Sequence, residues 1–208
     1  GVLTDSGLPI YADRVISNAS PTLVFGSLLD PPAKVPVAAL NNIRNRTHGL
    51  TLMVVYLGLN RSMEDLGLCE YSYFIAPHMD TSRLYSAAGT LGKDIMQAAV
   101  CLNAAIPDCS PPGTTILAIT AGYRPEAWAG VSPREYEDVK NALALRLIRQ
   151  FESATGTDIR SHIEEIEIAT PQTFARYTGA YDGIIYGYEP EPWDSIIPRA
   201  LSQKRENY

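Results

Sequence analysis

The sequence predicts an α+β fold built on a largely antiparallel sheet covered by helices, and three observations predict it. Apolar strand-length runs are interspersed with one long segment of helical period. The order of these segments lacks the regular βαβ alternation of a parallel sheet. Hydrophobic residues make up 46% of the 208 residues and charged residues 19%, the balance of a globular domain with a real core.

Residues 1–19 read as a hairpin, since Asp5-Ser6-Gly7 is turn chemistry and Ile10–Ile16 returns as a strand. Ser20-Pro21 starts a short helix, with Leu23, Val24, Leu28 and Leu29 toward the core and Pro31-Pro32 as its stop. Val35–Arg44 reads as another helix. Leu50–Leu59 is nearly all apolar, which predicts a central strand covered on both faces. Leu68–Ala76 is expected to pair with it, Cys69, Tyr71, Tyr73 and Ile75 sharing one face. Residues 80–113 carry no clear pattern before the Pro107–Gly113 loop, and Thr114–Thr120 follows as a third core strand. Ser132-Pro133-Arg134-Glu135 has the form of a capping box. The helix it opens runs from Pro133 to Ser153, with Tyr136, Val139, Leu143, Leu147, Ile148 and Phe151 inward and Gly156 as its stop. Ile163–Ala169 is a strand, Thr170-Pro171 starts a short helix carrying Phe174 and Tyr177, and 179–208 is ordered loop with a short strand at Ile184–Tyr186.

Several function classes are disfavoured. The net charge of −6 and the absence of a Lys/Arg cluster argue against nucleic-acid binding. No apolar run reaches about 18 residues, so no membrane span is expected. The three cysteines, Cys69, Cys101 and Cys109, are irregularly spaced and read as buried or partly buried free thiols in a reducing compartment, with Cys101 and Cys109 as a redox pair the alternative. No metal is expected. There is no G-x-G-x-x-G, no P-loop, no H-E-x-x-H and no nucleophile elbow. His48, His78 and His162 lie far apart and read as structural, His78 with Asp80 being the best polar pair. Glu164, Glu165 and Glu167 form an acidic run; alternation puts Glu165 and Glu167 opposite Ile166 and Ile168. A solvated face and a catalytic carboxylate pair are the two readings of that run.

Tyr177, Tyr181, Tyr186 and Tyr188 fall within twelve residues, separated by Gly179, Gly183 and Gly187. Rings interleaved with glycines can line a flat apolar slot, because glycine lets backbone approach a large planar group. A stiff aromatic loop that only packs is the equal alternative.

Two stretches carry a resemblance. Ala12-Asp13-Arg14-Val15-Ile16-Ser17-Asn18-Ala19-Ser20-Pro21 resembles the ADxVVSNADP segment of phytoene-desaturase-like flavoproteins. Ala169-Thr170-Pro171-Gln172-Thr173-Phe174-Ala175-Arg176-Tyr177-Thr178-Gly179, followed by Gly183-Ile184-Ile185-Tyr186-Gly187, resembles their ATPxTxxRYTG…GxxYG segment, and Val54–Leu59 fits their xxYLGL strand. Ser20 stands where the family has Asp, and both are good N-caps. The resemblance implies residues 1–208 of a substrate-binding domain in a two-domain FAD-dependent oxidoreductase. Residues 1–20 and 163–208 would adjoin the FAD-binding domain, which lies outside this sequence. It implies an apolar, polyene or lipid-like substrate, a desaturase, saturase or isomerase activity of the whole protein, and FAD held by the whole protein and not by this piece. The alternative is a non-catalytic module on the same scaffold that binds hydrophobic ligands or prenylated proteins. Arg176, Tyr177, Thr178, Gly179, Gly183, Tyr186 and Gly187 are the expected residues near substrate or flavin, with no general base assigned. The implied location is cytoplasmic, with peripheral membrane contact and self-association through exposed apolar surface as expected partners.

Overall fold

The computed structural model describes residues 1–30, 35 and 37–191. The fold is α+β. A two-stranded ribbon of β1 (Val2–Leu3) and β2 (Pro9–Ile10) is followed by α1 (Pro21–Leu23), which continues as a π-helical turn over Val24–Leu28, and by α2 (Val37–Arg44). The main body is a five-stranded sheet, entirely antiparallel, in the order β4-β5-β6-β3-β7. Its strands are β3 (Thr51–Leu59), β4 (Ser72–Ile75), β5 (Gln97–Cys101), β6 (Thr115–Tyr123) and β7 (Ile163–Ala169). Helices α3 (Thr81–Ala87), α4 (Glu126–Ala129), α5 (Tyr136–Thr155) and α6 (Pro171–Thr178) complete the described chain.

The sheet has one sealed face and one open face. Met53, Val55, Leu57 and Leu59 of β3 share the sealed face with Leu117, Ile119 and Ala121 of β6, and all are essentially inaccessible. Helix α5 covers them with Leu143, Ala144, Leu147, Ile148 and Phe151. Each fully buried Leu or Phe here stabilises the fold by about 2–3 kcal/mol. Phe151 also meets Tyr73 of β4 edge to face, with centroids 5.3 Å apart. Gln97 is buried beneath α5; in the amide orientation its neighbours require, it donates to the Leu147 carbonyl at 3.2 Å and accepts from the Phe151 N–H at 3.1 Å. Glu152 closes the far end of α5. Its carboxylate accepts from the Ile159 and Arg160 backbone at 3.0 and 2.9 Å and pairs with the Arg160 Nε at 2.5 Å.

Several expectations are met closely. Helix α5 presents the expected inward residues and ends at Gly156 in the left-handed region (φ 74°). Strand β7 and helix α6 begin where the sequence placed them. Others are corrected. The returning strand of the hairpin stops at Ile10, and 11–19 is exposed chain in which Ile16 is 99% accessible. None of Leu23, Val24, Leu28 and Leu29 is fully buried, because α1 and its π-turn rest on the 179–188 turn and not on the main core. Pro31-Pro32 and residues 192–208 lie outside the described residues. Strand β3 has neighbours on both edges; on its second face Val54 is buried, but cover is incomplete and Tyr56 is 44% accessible. β4 pairs with β5, not β3. Gln97–Cys101, an alanine-rich run inside the unpatterned 80–113 stretch, supplied no strand signal. Ser132 and Glu135 bond side chain to side chain at 2.6 Å, so the regular helix starts at Tyr136 after a turn. Cys101 is buried and its thiol is pushed up by that burial, but Cys69 is exposed.

Candidate functional site

Thr170 ends β7 fully buried and opens α6 with a reciprocal capping box: its side chain accepts from the Thr173 backbone, and Thr173 Oγ1 accepts from the Thr170 N–H at 3.1 Å. The Thr170 hydroxyl also bonds the Tyr136 hydroxyl, tying α6 to α5. Helix α6 stops at Gly179 (φ 67°), where a Cβ would sit 3.3 Å from Leu23 Cδ2. At Gly183 (φ 64°) a Cβ would lie 2.1 Å from the Pro171 carbonyl oxygen, so only glycine fits.

Residues 184–189 then run antiparallel to 47–51. Ile185 N–H donates to Leu50 O at 3.0 Å, Gly49 N–H to Gly187 O at 2.8 Å, and Glu189 N–H to Thr47 O at 2.9 Å. Thr51 pairs with Tyr123 of β6 on one side and Ile184 on the other, so this segment extends the sheet on the β7 edge. Glu189 anchors its end: it accepts from the Tyr85 hydroxyl at 2.5 Å, a bond that pushes the Tyr85 phenol up, and Arg124 lies 5.2 Å from the Tyr85 ring.

The turn 181–183 holds a polar cluster that sequence reasoning did not assemble. His48 lies against Tyr181 and Tyr188, with centroids 4.8 and 6.0 Å away. Its Nδ1 is 3.4 Å from Asp182 Oδ2. Asp182 is the one non-glycine with positive φ among the described residues (53°). Asp182-Gly183 is a turn dipeptide, the signal that could have located this bend. His78 forms no pair with Asp80, which instead caps α3 by accepting from the Arg83 N–H at 3.0 Å; both His78 ring nitrogens are buried without a partner.

Arg176, Tyr177 and Thr178 close α6 and Gly179 caps it, whereas Gly183, Tyr186 and Gly187 lie in the turn and extended segment that follow. The rings do not close a slot: Tyr177 and Tyr186 are each 79% accessible and Tyr181 is exposed. Arg176 stacks 5.7 Å from the ring of Tyr177. Thr178 Oγ1 donates to Phe174 O at 2.8 Å. Gly187 (φ 78°) has open space where a side chain would stand.

The open sheet face is the second component. It carries Leu52, Tyr56 and Gly58 from β3, alternate residues Ile116, Ala118, Thr120 and Gly122 from β6, and Ala98 and Val100 from β5. These are small or apolar and mostly half-buried, and Val54 on the same face is buried. Where β3 meets β7, Tyr56, Gly58, Ile116, Glu165, Ile166 and Glu167 line a groove of about 160 Å³. A larger groove of about 530 Å³ lies between α4 and α6, beside Glu126, Trp128, Gln172 and Asp182. Trp128 is buried there, and its indole N–H has no acceptor. Among the described residues no group of three or more His, Cys, Asp or Glu is placed to hold a metal ion, and no helix is long and apolar enough to cross a membrane.

No protein-family model matches the chain. Among curated proteins, a chloroplastic prolycopene isomerase of Daucus carota is 27% identical over 191 residues, covering 92% of this chain and 29% of that protein. The Arabidopsis thaliana prolycopene isomerase is 26% identical over 190 residues, covering 91% and 30%. Prolycopene isomerase 2 of an Oncidium hybrid cultivar is 23% identical over 204 residues, covering 97% and 32%. The chain therefore resembles chloroplastic prolycopene isomerases over most of its own length and spans about a third of theirs.

Proposed function

We propose that this chain is the substrate-binding portion of an FAD-dependent oxidoreductase of the phytoene-desaturase type, acting on an apolar, polyene or lipid-like molecule. The observation that carries the reading is the asymmetry of the sheet: α5 packs on one face, and the other face is apolar and, apart from buried Val54, only partly buried, with Tyr56 44% accessible. An elongated apolar substrate needs such a face, and removing its surface from water supplies the affinity. The similarity to prolycopene isomerases supports the substrate class.

The residues present do not fit a whole dinucleotide. The sequence has no glycine-rich phosphate loop, and the start of α6 is occupied by its own Thr170–Thr173 box. FAD is accordingly assigned to the rest of a longer protein, and no redox step is derived through residues of this chain. What this chain can offer a planar ring system is the uncrowded backbone at Gly187 beside exposed Tyr186. Residues 1–20 and 163–191 would adjoin the FAD-binding domain, and their exposed apolar side chains would contact it or a membrane surface from which substrate is drawn.

The test is to purify the full translation product of the gene and record its visible absorption and its action on a polyene extract. Bound flavin with conversion of a polyene supports the reading. A colourless protein that takes up polyene unchanged identifies the non-catalytic binding module instead.

A further inference from the structure

We propose that the outer edge of β4 is a homodimer interface, at which two copies of this chain pair their β4 strands antiparallel about a two-fold axis at Phe74 and join their sheets into one. The Cys101 N–H donates to Tyr71 O at 2.9 Å, and bonded residues alternate along an antiparallel ladder. Tyr73, opposite Ala99, and Ile75, opposite Gln97, therefore direct their backbone groups to β5. Ser72 and Phe74, with Ala76 just beyond the strand, turn their N–H and C=O groups outward, where no described residue bonds them. All three are exposed, and the ring of Phe74 stands 78% accessible in the middle of this edge. An unpaired edge with a large apolar side chain at its centre is a template for another strand.

The occupant is a second copy because the edge is self-complementary. A two-fold axis requires the strand to meet itself reversed. Centred on Phe74, pairing sets Phe74 against the partner's Phe74, Ser72 against the partner's Ala76, and Glu70 against the partner's His78. The outward backbone groups are then the ones that face each other, and no like charges meet. Opposed residues of such a bonded pair lie about 5.5 Å apart at Cα, close enough for the two rings to pack. The opposite edge of the sheet is built against self-pairing. β7 carries Glu164, Glu165 and Glu167, and pairing about Ile166 would set Glu165 against the partner's Glu167.

The test is sedimentation of the full translation product of the gene from about 1 to 100 μM, with amide exchange across 71–77 at both ends of that range. Wild type should pass from monomer to twice the monomer mass. Phe74→Pro removes one outward N–H, a change that edge strands tolerate, and Phe74→Lys sets two ammonium groups together; both should remain monomeric. In wild type, exchange at Ser72, Phe74 and Ala76 should slow about tenfold on concentration, while Tyr73 and Ile75, already bonded to β5, should not change. Should either variant fold poorly, this alternating exchange pattern decides alone. A wild-type monomer at every concentration, a dimer that persists in both folded variants, or protection outside this edge overturns the proposal. Protection of these amides in a monomer at every concentration also overturns it, since a strand of the longer protein would then hold the edge.

Discussion

The hydroxyls of Thr22 and Tyr188 are 2.9 Å apart although 166 positions separate them in the chain. This bond joins the end of the first family-like segment to the turn that follows the second. With Leu23 seated against Gly179, it brings the two segments to one place. Tyr188→Phe should therefore lower stability by about 1 kcal/mol in urea unfolding. It should also speed amide exchange at 184–189. Loss of stability without faster exchange there would mean that the bond does not hold the turn.

Gly183 and Gly187 both have positive φ, but they differ in space. A Cβ at Gly183 would collide with the Pro171 carbonyl, whereas Gly187 is open. Gly183→Ala should cost about 3 kcal/mol or more, since backbone must move, and Gly187→Ala about 1 kcal/mol from conformation alone. Chemical denaturation of the two variants checks the order; equal costs would show that crowding at Gly183 is relieved at no expense.

Tyr123 is wholly buried, its hydroxyl has no partner, and burial pushes its phenol up to about 12, with Arg146 acting in the opposite direction. An unfolded tyrosine ionises near 10. Between those values the unfolded chain has released a proton that the native chain still holds, so stability falls as pH rises. The slope approaches about 1.4 kcal/mol per pH unit, and below pH 10 the effect is absent. Tyr123→Phe should remove this alkaline loss and raise neutral-pH stability by about 1 kcal/mol, because an unsatisfied buried hydroxyl is deleted with its packing kept. Thermal unfolding across alkaline pH reads both.

Glu152 is the most demanding polar group of the core, holding two backbone N–H groups and the Arg160 guanidinium at 9% accessibility. Glu152→Ala leaves these donors unsatisfied and should cost about 3 kcal/mol, more than Glu152→Gln, which keeps one acceptor oxygen. Urea midpoints for the two variants give the comparison.

The elements legible in the sequence were those whose signal is local. Helix α5 announces itself by three- and four-residue recurrence from Tyr136 to Phe151, and α6 by Thr170-Pro171 and Gly179. β5 was hidden because Gln97-Ala98-Ala99-Val100-Cys101 carries almost no strand propensity; its neighbours β4 and β6 make it a strand. Gly179 and Gly183 mark the bends between the end of α6 and the segment that carries Tyr186 and Gly187. Closure of the rings into a slot was not legible, because exposure of Tyr177 and Tyr186 depends on what faces them. The partnership of His48 with Asp182, and of Glu165 with Gly58, arises from strand register and a long return of the chain, which composition does not encode.

The central claim is that the sheet face opposite α5 receives the apolar ligand. The most direct measurement is chemical-shift mapping of the chain titrated with a dansylated long-chain alcohol. The account predicts shifts at Tyr56, Ala98, Ile116, Ala118 and Gly122, with the α5-covered residues Leu117, Ile119 and Leu147 unmoved. Shifts confined to the groove between α4 and α6, or no shifts at saturating probe, would contradict it.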